Sequence, residues 1–139
     1  MTVLSYSANE YFVRAAVSAF LAQLDPTIEE LNDVKTAVSE AVTNCIVHAY
    51  KDTIGKIYIT AELFDNNSIR IKIRDKGCGI GDIEQAMQPL FTTVGGERAG
   101  LGFAVMQSFS DAVSVRSSLG KGTTVSLSKK LNVRVSLNG

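Results

Sequence analysis

The sequence has no tryptophan, only two prolines and only two cysteines among its 139 residues. The cysteines, Cys45 and Cys78, do not have the spacing of a metal site or a redox pair, and two are too few for a disulfide framework. No apolar stretch approaches the ~20 residues that span a bilayer, and the N-terminus lacks the basic start and apolar centre of a signal peptide. These absences predict a cytoplasmic protein that does not associate with a membrane.

An excess of either charge is also missing. Fourteen basic and fourteen acidic residues cancel to a net charge of zero. Because a domain that binds a phosphate backbone normally carries a basic excess, we expect no direct contact with nucleic acid. Apolar residues make up 45% of the chain and charged residues 20%, which is typical of globular proteins. The length predicts a single domain over residues 1–139.

Two stretches in the first half of the chain have helical periodicity. The first is predicted to begin at a capping box of Ser7 and Glu10 and to continue to about Leu24. Its predicted core stripe consists of Phe12, Ala16, Phe20 and Leu24. The second begins at a capping box of Thr27 and Glu30, and its apolar residues keep helical spacing as far as Ala49.

The second half of the chain alternates with a period of two. The segments "KIYITAELF" and "SIRIKIR" flank "DNN", and "AVSVRSS" and "TTVSLSKK" flank "LGKG", so two antiparallel hairpins are predicted. A short helix near residues 83–87 and a third helix starting near Gly100 to Gly102 lie between them. The tail "LNVRVSLNG" is either a frayed end or an edge strand. The fold class is a two-layer α/β (α+β) sandwich, with helices on one face of a mixed, mostly antiparallel sheet.

Three polar residues stand four apart on the second helix: Glu40, Asn44 and His48. Four residues advance ~400° around an α-helix, so the three side chains lie along one strip beside the apolar stripe. A solvated helix flank would give the same spacing. A carboxylate and an amide one turn apart are also suited to holding a hydrated cation or a hydroxyl group.

Two glycine-containing segments add to this pattern. In "RDKGCGIGD" a strand ends at Asp75, and Gly77 and Gly79 follow, which allows the backbone to approach a ligand closely or simply to turn. In "GGERAGLGFAVM" the predicted helix start at Gly100 and Gly102 offers unpaired N–H groups to an anion, with Arg98 just before it. Each segment alone has an ordinary explanation as a turn or loop.

Taken together and in this order, these segments resemble the Bergerat-fold (GHKL) ATP-binding superfamily of gyrases and histidine kinases. The resemblance covers nearly the whole chain, from the first strand to "TTVSL". Within the superfamily, "SEAVTNCIVHAY", "RDKGCGIGDIEQAMQPLFTT" and "GERAGLGFAVMQSFSDAVSV" are most similar to the anti-sigma factor serine kinases of spore-forming bacteria. The segment "TTVGGERAG", which the resemblance identifies as part of a lid over the phosphates, is glycine-rich where relatives often have lysine and proline.

The resemblance implies a role for each of the polar residues. Glu40 would be the general base for the attacking hydroxyl, and Asn44 would coordinate Mg²⁺ bound to the ATP phosphates. Asp75 would accept a hydrogen bond from the adenine amino group, assisted by Thr123. His48 would have a structural role.

The remaining site residues come from the same comparison. Gly77 and Gly79 would let the adenine approach, and Arg98 would face the γ-phosphate as a second catalytic residue. The other residues implied to bind ATP or ADP belong to the lid and are Thr92, Thr93, Gly100, Leu101 and Gly102.

The resemblance also implies partners. The protein would form a homodimer, sequester a sporulation sigma factor of the sigma-F type, and phosphorylate a serine on a small anti-anti-sigma protein. Arg14 on the first helix is a candidate partner contact or an ordinary solvated charge. Three alternatives are a stress-response kinase of the anti-sigma-B type, a nucleotide-gated binding module without catalysis, and a detached histidine kinase domain.

Overall fold

The structure is a computed structural model that describes residues 1–78 and 97–132. Its helices are α1 (Ala8–Leu21), α2 (Ile28–Asn44) and α3 (Glu97–Phe109), with a 3-10 turn at Ala22–Leu24 and a π-helical turn at Cys45–Ala49. The strands are β1 (Thr2–Leu4), β2 (Lys56–Leu63), β3 (Ser68–Asp75), β4 (Ala112–Ser118) and β5 (Gly122–Lys130). In these ranges, no helix is long and apolar enough to cross a membrane.

The five strands form one sheet in the order β1-β2-β3-β5-β4. Both predicted hairpins are confirmed, and each turn contains a residue with positive φ, Asn67 in the first and Gly120 in the second. Every neighbouring pair of these strands is antiparallel. The pairing of β3 with β5 joins the two hairpins and places the end of β3 beside the start of β5.

The hydrophobic core lies between the helices and one face of the sheet. Alternate residues of the strands are buried, and α2 and α3 supply the apolar residues that cover them. Side chains at the intervening positions of β3, such as Lys72 and Arg74, are exposed on the opposite face. Burial of one isoleucine contributes roughly 1.5–3 kcal/mol. The largest sheet residues that the core buries are Ile57, Ile59, Ile69, Ile71 and Ile73.

The two predicted capping boxes have different outcomes. At α2 the box is confirmed, because Thr27 Oγ1 accepts a hydrogen bond from Glu30 N at 2.9 Å and Glu30 Oε1 accepts one from Thr27 N at 2.8 Å. At α1 it is wrong, since the Ser7 side chain makes no capping hydrogen bond. Glu10 instead accepts a hydrogen bond from Ser39 Oγ at 2.5 Å and therefore ties α1 to α2.

The predicted apolar stripe of α1 is wrong for Phe12 and Phe20, although Leu24 packs against the core. The helix buries Val13, Val17 and Leu21, whereas Phe12 is 55% exposed and Phe20 is 37% exposed. The buried residues and the exposed aromatic residues both have helical spacing, so α1 is apolar on two sides. Packing against α2 and the sheet determines which of these sides is buried. An aromatic surface therefore remains on the outer side of α1.

The third helix begins at Glu97, about one turn before the predicted start at Gly100 to Gly102. Helix boundaries are the least defined feature of a periodic pattern. The predicted short helix near 83–87 and the tail after residue 132 lie outside the described residues.

Candidate functional site

The end of α2 carries the first half of the site. Glu40 lies one turn before Asn44, which is the last α-helical residue. Both polar atoms of the Asn44 side chain, Oδ1 and Nδ2, are buried and have no hydrogen-bond partner among the described residues. Burying an amide without partners costs about 1–3 kcal/mol. A ligand that supplied partners to these two atoms would remove this cost.

The helix does not continue regularly past Asn44. Residues Cys45–Ala49 form a π-helical turn, closed by a hydrogen bond from Tyr50 N to Cys45 O at 3.0 Å. A π-turn contains more residues than an α-turn, so His48 is not spaced from Asn44 as it would be in a regular α-helix. Regular α-helical spacing therefore connects Glu40 and Asn44, and the structural role of His48 stays a prediction. The π-turn itself was not predicted.

Asp75, at the end of β3, carries the second half of the site. It is 4% exposed. Its Oδ1 accepts hydrogen bonds from Gly77 N at 2.9 Å and Thr123 N at 3.2 Å, and its Oδ2 faces Cys45 Sγ at 3.6 Å. These contacts fix the carboxylate plane between the π-turn and the start of β5.

Burial has the largest effect on the pKa values of Asp75 and Cys45. It raises the pKa of Asp75, and the hydrogen bonds from Gly77, Cys45 and Thr123 oppose that rise. Burial also raises the pKa of the Cys45 thiol well above its usual value, and the nearby Asp75 charge raises it further. Cys45 is therefore a protonated thiol that can donate to the Asp75 carboxylate.

The loop after β3 packs against the π-turn. A Cβ at Gly77 would lie 2.3 Å from the carbonyl oxygen of Ala49, so this position requires glycine for contact with the chain's own backbone. The next residue extends the contact, because Cys78 N donates to Ala49 O at 3.2 Å and Cys78 Sγ approaches His48 O at 3.3 Å. The loop that follows Asp75 is thereby attached to the helix that carries Asn44.

The start of β5 completes the surroundings of Asp75. Thr123 is buried, and its Oγ1 lies 2.7 Å from Ser117 Oγ on β4. Gly122 has φ +98°, and a Cβ there would lie 2.2 Å from the carbonyl oxygen of Asp75. Thr123 was predicted to assist through its hydroxyl or a water, and the structure adds a contact of its backbone N–H with Asp75.

We expect the substitution Gly122→Ala to destabilise the protein by about 2–4 kcal/mol, because it combines an unfavourable φ with a clash against the backbone. Gly120→Ala is the matched control, since Gly120 also has a positive φ of +78° but no atom within 4 Å of the added Cβ. Urea denaturation of both variants measures the difference. Equal destabilisation of the two would show that the close contact with Asp75 has no energetic importance.

The other predicted site residues divide into two groups. Gly79, Thr92 and Thr93 lie outside the described residues. The second group lies in the first turns of α3, where the described part of the structure includes the backbone but not the side chains. It consists of Arg98, Gly100, Leu101 and Gly102. Their roles in the lid stay predictions.

Three residues around the site were not predicted to have a role. Cys45 faces Asp75, and Gly122 provides the close backbone contact. The third is Tyr50, whose OH donates to Lys56 O at 2.6 Å and accepts from Lys76 N at 2.7 Å. A buried tyrosine needs such partners, and its position directly after the polar helix was the only signal in the sequence.

Comparison with known proteins identifies the fold and the family of this chain. Residues 7–129 match the family model of the histidine kinase-like ATPase domain. A solved structure containing the RsbU and RsbW domains of Rv1364c from Mycobacterium tuberculosis has a TM-score of 0.67 at 20% identity, and the match covers 94% of this chain and 32% of that chain. The histidine kinase domain of the blue-light activated kinase from Erythrobacter litoralis EL346 has a TM-score of 0.57 at 20% identity, with 85% of this chain and 59% of that chain covered. At this identity the two structures show the fold alone.

Similarity in sequence is much higher to proteins named anti-sigma F factor. The protein of that name from Caldanaerobacter subterraneus subsp. tengcongensis is 61% identical over 127 residues, covering 91% of this chain and 88% of the relative. That from Bacillus subtilis is 52% identical over 128 residues, covering 91% of this chain and 87% of the relative. The chain therefore belongs to the histidine kinase-like ATPase domain family and, within it, to the anti-sigma F factors.

Proposed function

We propose that this protein binds and inhibits a sigma factor of the sigma-F type and, as an ATP-dependent serine protein kinase, phosphorylates the anti-anti-sigma protein that opposes it. The buried, unpartnered amide of Asn44, one turn from Glu40 and on the helix packed against the Asp75 loop, is the observation that carries the proposal. The names of the relatives support the regulatory part. Because a sigma factor acts inside the cell, the proposed setting is the cytoplasm.

Asp75 and Thr123 form the proposed adenine end of the site. Asp75 has its Oδ1 occupied by two backbone N–H groups, and Oδ2 is the oxygen available to an amino group beside Cys45. A rigid buried acceptor favours a ligand that donates one hydrogen bond at that point. Adenine, with its exocyclic amino group, fits this requirement.

Asn44 and Glu40 form the proposed phosphate end. Asn44 Oδ1 would hold Mg²⁺, which would neutralise charge on the ATP phosphates during transfer. No group of three or more His, Cys, Asp or Glu suited to a metal occurs among the residues that the structure describes. A donor set of one amide oxygen with substrate phosphates and water is typical of Mg²⁺ sites. Glu40 would accept the proton of the attacking serine hydroxyl.

A cavity beside Glu40 supplies a route for the acceptor serine. It has a volume of about 240 Å³ and lies between α1 and α2. Its lining residues are polar and include Arg14, Lys35 and Ser39 together with Glu40. A protein segment could enter this cavity and bring its hydroxyl to the carboxylate, while the two basic residues position it. This cavity gives Arg14 a proposed role in substrate contact.

The outer side of α1 supports the proposed homodimer. Tyr11 is 68% exposed and Phe12 is 55% exposed, and the neighbouring Tyr6 is 53% exposed. Exposed aromatic patches of this kind mark protein interfaces. A second copy packed on this side would bury the stripe that the fold of one chain leaves open.

The kinase proposal is tested by incubating the protein with Mg²⁺, γ-labelled ATP and a small anti-anti-sigma protein of its family. We expect label on the acceptor that survives acid, because phosphoserine is acid-stable and phosphohistidine is not. Acid-labile label would identify a histidine kinase domain. Nucleotide binding without any transfer would identify a binding module without catalysis.

A further inference from the structure

The face of the sheet opposite the helices is open and basic. Its depression of about 540 Å³ spans β2, β3, β5 and β4. Four exposed basic residues line it: Lys72, Arg74, Arg116 and Lys121. The chain has equal numbers of basic and acidic residues, so its composition does not explain why basic residues cluster on this surface.

These basic groups have no acidic partners in the described part of the chain. None of the four forms an ion pair with another described residue. Asp75 also borders the depression, but its carboxylate is buried and accepts its hydrogen bonds from Gly77, Thr123 and Cys45. Like charges held near one another are unfavourable, so an anion bound among them would be stabilised.

The strand register defines the arrangement of the charges. Arg74 and Arg116 are both directly opposite Thr124, on the two strands that flank β5. Neighbouring strands are ~4.8 Å apart, so the two arginine Cα atoms lie about 10 Å from each other across the threonine. Two guanidinium groups on either side of a hydroxyl can bind one carboxylate with several hydrogen bonds. Lys72 and Lys121 extend the positive surface away from this point.

A protein segment fits this surface better than nucleic acid does. Single-stranded nucleic acid is bound by aromatic rings on which bases stack. The aromatic residue in the depression is Tyr58, and Lys76 Nζ lies 5.2 Å from the centre of its ring, so the ring is already covered by a cation. Separate carboxylates on a peptide match separate cations across several strands.

We propose that this open face of the sheet binds an acidic protein segment, with a carboxylate between Arg74 and Arg116 and others along Lys72 and Lys121. The surface lies on the other side of the sheet from Asn44 and Glu40. The four basic residues are therefore distinct from the proposed catalytic residues, although the depression also borders Asp75 and Thr123 of the proposed adenine end.

The test uses the full chain and a short fluorescein-labelled oligoglutamate peptide, with binding measured by fluorescence anisotropy at low salt. We expect the double substitution Arg74→Gln and Arg116→Gln to weaken binding by about tenfold or more. The matched control is Arg70→Gln with Lys130→Gln, which removes the same charge from the far end of the same face. The control is expected to change the affinity by less than about twofold.

A second variant, Lys72→Gln with Lys121→Gln, tests the same surface if the arginine variant does not fold, as judged by thermal unfolding. If the control variant lost as much affinity for the peptide as the variants in the depression, the proposal would be overturned, because overall charge would then explain the binding. Tighter binding of single-stranded DNA of equal charge than of the peptide would overturn it in favour of a nucleic acid site. No binding of the peptide to the unsubstituted protein would also overturn it.

Discussion

The substitution Glu40→Gln is expected to lower the rate of serine phosphorylation by about 10²–10⁴-fold, the usual contribution of a positioned general base. Glutamine keeps the size and helical preference of glutamate but cannot take the serine proton. The affinity for Mg²⁺–ATP is expected to stay within about twofold, since the proposed nucleotide contacts come from Asn44 and Asp75. Single-turnover transfer and equilibrium nucleotide binding measure the two effects separately.

The control for this substitution is Glu29→Gln. Glu29 lies in the first turn of the same helix and is exposed, so its replacement removes the same charge far from the cavity beside Glu40. Its transfer rate is expected to match that of the unsubstituted protein. A normal rate in Glu40→Gln would remove the general base from the proposed mechanism while leaving nucleotide binding untouched.

Local signals were sufficient to predict much of the fold. The hairpins could be predicted because alternating apolar residues and turn residues are neighbours in the sequence. The α2 capping box could be predicted because Thr27 and Glu30 are only three residues apart. For α1 local information was ambiguous. Val13, Val17 and Leu21 have the same periodicity as Phe12 and Phe20, and only contact with the rest of the fold shows which side is buried.

The site was predicted only in part for the same reason. The spacing of Glu40 and Asn44 on one helix can be recognised from a few neighbouring residues, and so can the glycine two residues after Asp75. The contacts that hold Asp75 join distant parts of the chain: Cys45 lies 30 residues before it and Thr123 lies 48 residues after it. They depend on the pairing of β3 with β5 and on a π-turn, and neither has a recognisable signal in this sequence.

The substitution Asn44→Ala distinguishes a ligand-binding role from a structural role. A structural asparagine would be hydrogen-bonded within the fold, and its loss would destabilise the protein. Asn44 has two buried polar atoms without partners among the described residues, so its replacement removes an existing cost. Alanine is also the better helix former at this position, the last residue of α2. The thermal midpoint without nucleotide is therefore expected to stay equal or rise.

Binding is expected to change in the opposite direction. Loss of the proposed Mg²⁺ ligand should weaken Mg²⁺–ATP binding by about 100-fold or more, and the stabilisation by Mg²⁺–ATP should disappear from thermal unfolding. Asn32→Ala is the matched control, because Asn32 is an exposed asparagine earlier on the same helix. For the unsubstituted protein, EDTA should reproduce the effect of Asn44→Ala. A lower midpoint without nucleotide, together with normal Mg²⁺–ATP binding, would assign Asn44 to the fold and remove it from the site.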